Sequence, residues 1–387
     1  IIRQALKAGN IDFRQENTAK AWAQEYDVPV VRQGWLRKER FEHDNPTGMQ
    51  SFAMNIRREV FQDRRVRRAL AYAFDFEWTN RNLFYGQYTR TESFFSNSEL
   101  AFSGLPSEDE LEILEPYRGQ VPNEVFTKEY FAPSTDGSGW PRDNLRRAFE
   151  LLAEAGWVVR DMKLVDAETG RQMSFEILLV SQAFERIALP FKRNLERLGI
   201  EVRVRTVDSA QYINRLRSFD FDMIVASWGQ SASPGNEQRD FWGSDAADSP
   251  GSRNYVGIED PAIDDLIDLI ISAPDRESLI TRTRALDRVL LWNHFVIPQW
   301  HIEYDRILYW NKFGFPEEPP RQGTSINYWW IDPAKARALA SRTPQQAETE
   351  ARGDGTMLGR IALYAGIAAL LLFGYLSLRR LNRRSAH

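Results

Sequence analysis

Apolar positions in this chain recur with two periods, and between 173 and 226 the pattern switches repeatedly from one to the other. Residues 173–180 end in a near-continuous apolar run, and Phe184, Ile187, Phe191, Leu195 and Leu198 then return at helical spacing and stop at Gly199. Ile200, Val202 and Val204 alternate, Asp208 can cap a short helix carrying Tyr212, Ile213 and Leu216, and 223–226 is a short apolar run with a β-branched pair, Ile224 and Val225. The pattern predicts a βαβαβ unit whose third strand is covered on both faces of a mostly parallel sheet. That strand runs into a loop of a different character. Trp228 is followed by Gly229, Pro234 and Gly235, which stop regular structure, and by Gln230, Ser231, Asn236 and Gln238, neutral groups that both donate and accept hydrogen bonds. In open α/β sheets ligands bind outside the carboxyl ends of the strands. Trp228 is therefore expected to line a cleft with these four polar residues; a solvated loop over one core tryptophan is the competing reading.

The same periods order the rest of the chain. Residues 5–9 read as a helix end followed directly by a strand at 11–13, as if the chain enters its fold partway. Asn17 can cap a helix running to Tyr26, a strand pattern follows at 35–41, and Phe52, Met54 and Ile56 alternate. After Asp63, the positions Val66, Ala69, Leu70, Ala73 and Phe74 form an apolar helical stripe, with Arg64, Arg65, Arg67 and Arg68 expected on a solvated face. An aromatic-rich stretch at 77–98 contains Gln87 and Tyr88, both candidates for ligand contact. It leads into a long irregular segment ending near Gly139, the kind of loop that is functional or wraps the surface. Asp143 is expected to cap a helix over 145–155 closed by Gly156. Arg253, Asn254 and Tyr255 follow the central unit as further candidate contacts. Asp260-Pro261 opens a helix carrying Ile263, Leu266, Ile267 and Ile270, and Asp275 opens another that Pro298 ends; 302–310 resumes a strand pattern.

The end of the chain changes the topology. Residues 361–378 carry no charge and are followed by Arg379, Arg380, Arg383 and Arg384, against a single Arg360 before them. A membrane-spanning helix over 357–380 is expected, reached through a polar linker at 341–356, with the tail 381–387 in the cytoplasm and the globular body outside.

Composition narrows the chemistry. The 387 residues include 50 basic and 54 acidic side chains, well mixed, so nucleic acid is not an expected partner. The absence of cysteine excludes disulfides, thiolate metal sites and a cysteine nucleophile. His43, His294, His301 and His387 are too scattered for a metal triad, no phosphate loop occurs, and Ser233 breaks the nucleophile-elbow pattern at 229–233. Asp220 and Asp222 read as turn and edge residues before they read as an acid–base pair. Neither a catalytic residue, a metal nor a cofactor is expected. Twelve tryptophans and thirteen tyrosines leave room for aromatic stacking on a polar ligand.

Several stretches resemble one family. Phe61-Gln62-Asp63-Arg64-Arg65-Val66-Arg67-Arg68-Ala69-Leu70-Ala71-Tyr72-Ala73-Phe74-Asp75 is similar to the signature helix of the extracellular solute-binding proteins, family 5. Asn144 to Gly156, Asn194 to Val204 and Ser252 to Leu266 resemble further segments of that family. Phe84 to Arg90 and Trp228 to Trp242 are most like its YejA-like branch, associated with uptake of microcin C, oligopeptides or murein peptides. The resemblance implies a two-lobe α/β fold of the periplasmic-binding-protein type. It assigns 53–298 to a complete second lobe and 1–52 with 299–340 to part of the first. It also implies a receptor without enzymatic activity, with a peptide or peptide-like ligand and ABC transporter permease subunits as partners. Family members that bind oligopeptides carry an aspartate, for the peptide amino terminus, where Ser231 stands here. That departure favours neutral hydrogen bonding to a modified or branched peptide. A polymer-acting hydrolase with aromatic stacking sites and a membrane-tethered ligand sensor remain alternatives.

Overall fold

Residues 1–318 and 320–341 are described by the computed structural model; the expected linker beyond Ser341, the expected helix over 357–380 and the basic tail 381–387 lie outside the described residues. Among the described residues no helix is long and apolar enough to cross a membrane. In chain order the strands are β1 (Phe13–Gln15), β2 (Leu36–Glu42), β3 (Met49–Met54), β4 (Thr89–Arg90), β5 (Trp157–Arg160), β6 (Lys163–Asp166) and β7 (Ser174–Leu179). They continue as β8 (Glu201–Thr206), β9 (Met223–Trp228), β10 (Val296–Pro298), β11 (Trp300–His301), β12 (Tyr304–Trp310), β13 (Phe313–Gly314) and β14 (Trp330–Ile331). The chain divides into two compact units, one comprising Glu42–Tyr304 with Pro320–Gly323, the other Ile1–Phe41, Asp305–Pro319 and the chain from Thr324. The lobe boundary read at 52/53 falls within β3.

The larger unit is built on the expected βαβαβ. Its five-stranded sheet has the order β10–β3–β9–β7–β8. β7 pairs in parallel with β8 and with β9, whereas β3 runs antiparallel to both β9 and β10. The sheet is therefore mixed, with one reversed strand inside a set of four that share a direction. The helix Glu185–Arg197 crosses from β7 to β8, and Ser209–Arg217 leads from β8 towards β9. The Asp208 carboxylate accepts from the amides of Ala210 and Gln211 and so caps the second helix. Pro261–Ile271, capped by Asp260 with proline at its first position, buries Ile263, Leu266, Ile267 and Ile270 against the helix Arg276–Trp292, about 1.5–3 kcal/mol for each such side chain.

The smaller unit holds a three-stranded sheet in the order β1–β12–β2 and the short pair β13–β14. Leu6, Trp22, Tyr26, Leu36, Leu308 and Trp310 form one core cluster, and Ile307, Tyr309 and Phe313 with Phe41, Phe315 and Trp329 form another. Its deeply buried carboxylate among the described residues, Glu16, takes hydrogen bonds from Arg3, Arg14 and the Tyr26 hydroxyl. Burial opposes its ionisation, but these donors outweigh it and hold the carboxyl below the ordinary range.

Four local expectations are corrected. Arg67 is not on a solvated face: it is buried, donating to the carbonyls of Phe61, Gln62 and Asn293, and burial pushes its guanidinium down to about 10. Charge sets the preference for water, but three carbonyls aimed at one guanidinium can replace that water. Thr18, not Asn17, precedes the helix Ala19–Gln24. Asp143 lies within the helix Arg142–Glu154, where it pairs with Arg146 instead of capping. Arg276–Trp292 stops well before Pro298, which is the last residue of β10.

Candidate ligand-binding site

At the carboxyl end of β9 lies a groove of about 460 Å³. Three segments form it. β3 enters the sheet beside β9 with Gln50 opposite Ser227 and Met49 opposite Trp228. The chain leaving β10 passes the same edge, where the Gln299 amide donates to the Gln50 carbonyl at 2.9 Å. β11 then pairs with β4, which brings Trp300, His301 and Tyr88 to the groove. Gly48 makes the close approach possible: its φ is +67°, and a Cβ there would collide with the Trp228 carbonyl.

No carboxylate, lysine or arginine is among the lining residues. Gln50 donates through Nε2 to Gln299 Oε1 at 3.0 Å, and its own amide oxygen has no partner among the described residues. His301 sits between the Thr91 hydroxyl at 3.2 Å and Glu303 at 3.3 Å; burial pushes its imidazole below the ordinary value, against the pull of that carboxylate. Trp300 stacks near-parallel to Phe184 and contacts Phe84, making an aromatic wall.

The wall formed by 43–47 is held by a strap. Thr47 donates from its amide and hydroxyl to the Ser96 carbonyl, and Asn97 donates to the carbonyls of His43 and Asn45 at 2.7 and 3.2 Å. Asn97 has a φ of +62°, a left-handed conformation that asparagine tolerates. Behind it the strap is bound to the helix Arg276–Trp292 by two adjacent buried residues. Asp287 accepts from the Ser93 hydroxyl at 2.5 Å and from the amides of Phe94 and Phe102. Arg288 pairs with Glu110 and donates to the carbonyls of Ser103, Gly104 and Leu105. The long aromatic segment is thus a wrapping loop with internal anchors.

The residues singled out in the sequence take varied positions. Trp228 borders the groove, but its indole is 0% exposed, packed among Phe94, Trp242 and Tyr255 with Nε1 donating to the Arg253 carbonyl. It is a foundation for the loop, because the β-strand alternation that exposes Ser227 turns Trp228 inward. Gln230 and Gln238 do come together, exchanging hydrogen bonds at 2.7 and 3.4 Å, but Gln238 is buried and also accepts from Trp242 Nε1. Ser231 and Asn236 are exposed on the loop, Ser231 accepting from the Ser233 amide. Arg253 donates to the Ser227 carbonyl and lies over the Phe241 ring. Asn254 is fully buried, its amide spent on Gly243, Gly257 and Ile258, and Tyr255 is half-buried against the same core. Tyr88 lines the groove; the Gln87 carbonyl accepts from the Tyr304 hydroxyl. His43, Gln50, Ser227, Trp300 and His301 were not legible as site residues, since no motif marks them and the signal is their pairing across the sheet.

In open α/β sheets a hollow outside the carboxyl end of a central strand is where ligands bind. Residues 2–250 match the family Bacterial extracellular solute-binding proteins, family 5 Middle, and the chain belongs to that family. Over 330 residues it is 49% identical to a protein of Agrobacterium fabrum described as a probable peptide-binding protein YejA, covering 84% of this chain and 54% of that one. Over 335 residues it is 38% identical to a protein of the same organism described as the peptidoglycan-binding protein YepA, covering 84% and 54%. The chain spans about half the length of the curated relatives it matches. Among solved structures, the oligopeptide-binding protein AppA from Bacillus subtilis, in complex with a nonapeptide, aligns with a TM-score of 0.62 at 20% identity, over 86% of this chain and 58% of that one. The fold is thus of the two-lobe periplasmic-binding-protein type, and the likeness to YejA-like proteins read from the sequence is met.

Proposed function

We propose that this chain forms part of the substrate-binding receptor of an ABC importer that takes up oligopeptides or peptide-like compounds, with microcin C-like conjugates and murein peptides as the finer candidates. The observation that carries the reading is the groove at the carboxyl end of β9, which offers neutral hydrogen-bonding groups and an aromatic wall and is lined by no carboxylate, lysine or arginine. Family membership and relatives described as peptide-binding and peptidoglycan-binding support it. The division into a second lobe at 53–298 with first-lobe parts at 1–52 and 299–340 belongs to this proposal. So does the membrane anchor: the uncharged run 361–378 with its trailing arginines would tether the body on the extracytoplasmic side, near permease subunits.

The intact receptor, passed over a mixture of peptides and muropeptides and analysed by mass spectrometry, is expected to retain unchanged compounds. Turnover without retention would replace this reading with the hydrolase. Protease added to spheroplasts is expected to digest the body while sparing a tag placed after His387; the reverse pattern would remove the anchor.

A further inference from the structure

The Nδ1 atom of His43 accepts from the backbone amide of Asn45 at 3.3 Å, and the side-chain amide nitrogen of Asn97 lies 3.2 Å from it. A backbone N–H only donates, so Nδ1 holds the lone pair and the ring proton is on Nε2. The orientation of the Asn97 amide is fixed independently, because the same nitrogen donates to two carbonyl oxygens, those of His43 and Asn45. Nε2 has no partner among the described residues and is not among the buried polar atoms that lack one, so it is accessible on a residue that lines the groove. The strap that anchors Asn97 therefore also sets which hydrogen-bonding face His43 presents. Gln50 also lines the groove; one end of its amide pairs with Gln299, and the other end has no partner among the described residues.

We propose that His43 and Gln50 are specificity-determining residues that read a neutral secondary amide, His43 donating from Nε2 to its carbonyl oxygen and Gln50 accepting from its N–H. The groove then selects the interior of a peptide or an acetamido group over a charged terminus, for which it has no counter-charge. This deepens the receptor reading and rests on it. Two sources carry the same chemistry: a peptide backbone and the N-acetyl or peptide amides of a murein fragment.

The intact receptor is titrated calorimetrically with three probes: N-acetyl-tetra-alanine amide, unblocked tetra-alanine and N-acetylmuramyl-L-alanyl-D-isoglutamine. Binding of the blocked peptide assigns a peptide backbone, and binding of the muramyl compound alone assigns a murein fragment. With whichever is bound, His43→Phe is expected to weaken affinity about tenfold and His43→Gln, which restores a donor, less than threefold, at unchanged melting temperature. Nitrogen-15 histidine spectra of the ligand-free protein, with His43 assigned by difference from His43→Gln, are expected to contain the Nε2–H tautomer and a shift of that nitrogen on binding. An Nδ1–H tautomer, full affinity in His43→Phe, binding of the unblocked peptide only, or binding of none of the three would overturn the inference. Retention of other compounds in the mass-spectrometric experiment would then leave the receptor reading standing.

Discussion

The two ends of β9 carry opposite chemistry. At the amino end, Arg58 pairs with Asp220 at 3.1 Å and Asp222 at 3.2 Å, and Arg215 bridges Glu176 and Asp220. Asp222 also accepts from the Glu176 amide, and the Asn55 side chain donates to the carbonyls of Phe219 and Phe221. Phe219 is held there with φ at +52° under the Arg57 guanidinium. A hollow of about 680 Å³ opens at this end too, larger than the groove, but it is lined by arginines and aspartates of both signs. At the carboxyl end the groove is lined by no carboxylate, lysine or arginine, and His43 Nε2 and one end of the Gln50 amide have no partner among the described residues. The lesson lies in how the polar groups are committed. Charges closed on one another and on backbone brace a strand entry, whereas neutral groups left open beside an aromatic wall are available to a ligand. Volume alone would point to the amino end, whereas the uncommitted polar groups favour the carboxyl end.

The comparison can be tested from its largest expected effect downward. Trp228→Ala in the intact receptor should lower folding stability by about 3–5 kcal/mol in denaturant titration, since a fully buried indole leaves a cavity under the loop. A small loss of stability with a large loss of affinity would instead make the ring a ligand platform. Next is the strap. Burial pushes the Asp287 carboxyl up from 3.8 to about 7, with Arg288 pulling the other way. Its folded-state value is raised, so the stability it contributes is complete below the ordinary carboxylate range and is lost as pH rises through about 7. Wild-type protein should lose about 1–3 kcal/mol more than Asp287→Asn between pH 5 and pH 8, read from unfolding midpoints at each pH. Equal losses would place the carboxyl outside this range. Smallest is the amino end: Asp220→Asn and Asp222→Asn should each change stability by no more than about 1 kcal/mol, because the pairs with Arg58 are partly solvent-exposed, and neither should alter ligand affinity. A change in affinity in either variant would move the site to this end.

Part of the site was legible before the fold and part was not. The loop after β9 was found from its composition and its position after a third strand, yet of the side chains named in and after it several are braces: Gln238 supports Trp242, and Asn254 closes a turn on itself. Tyr88 lines the groove as a candidate drawn from an aromatic-rich stretch. The strap was legible only as a long loop; its anchors, Asp287 and Arg288, sit on a helix whose sequence pattern speaks only of packing.

What the sequence by itself determined is what short-range physics controls. The alternation of strand and helix periods produced the βαβαβ unit, and carboxylates beside free amides produced the caps at Asp63, Asp208, Asp260 and Asp275. The signature segments pointed to the family for the same reason, being contiguous. Tertiary structure decided whatever depends on partners far along the chain. Gln50 meets Gln299 across 249 positions, Asn97 meets His43 across 54, and Arg67 exchanges water for the Asn293 carbonyl across 226. A side chain's charge, size and hydrogen-bonding capacity are written in its own position, but whether those bonds are already satisfied depends on residues that only the sheet brings to its side.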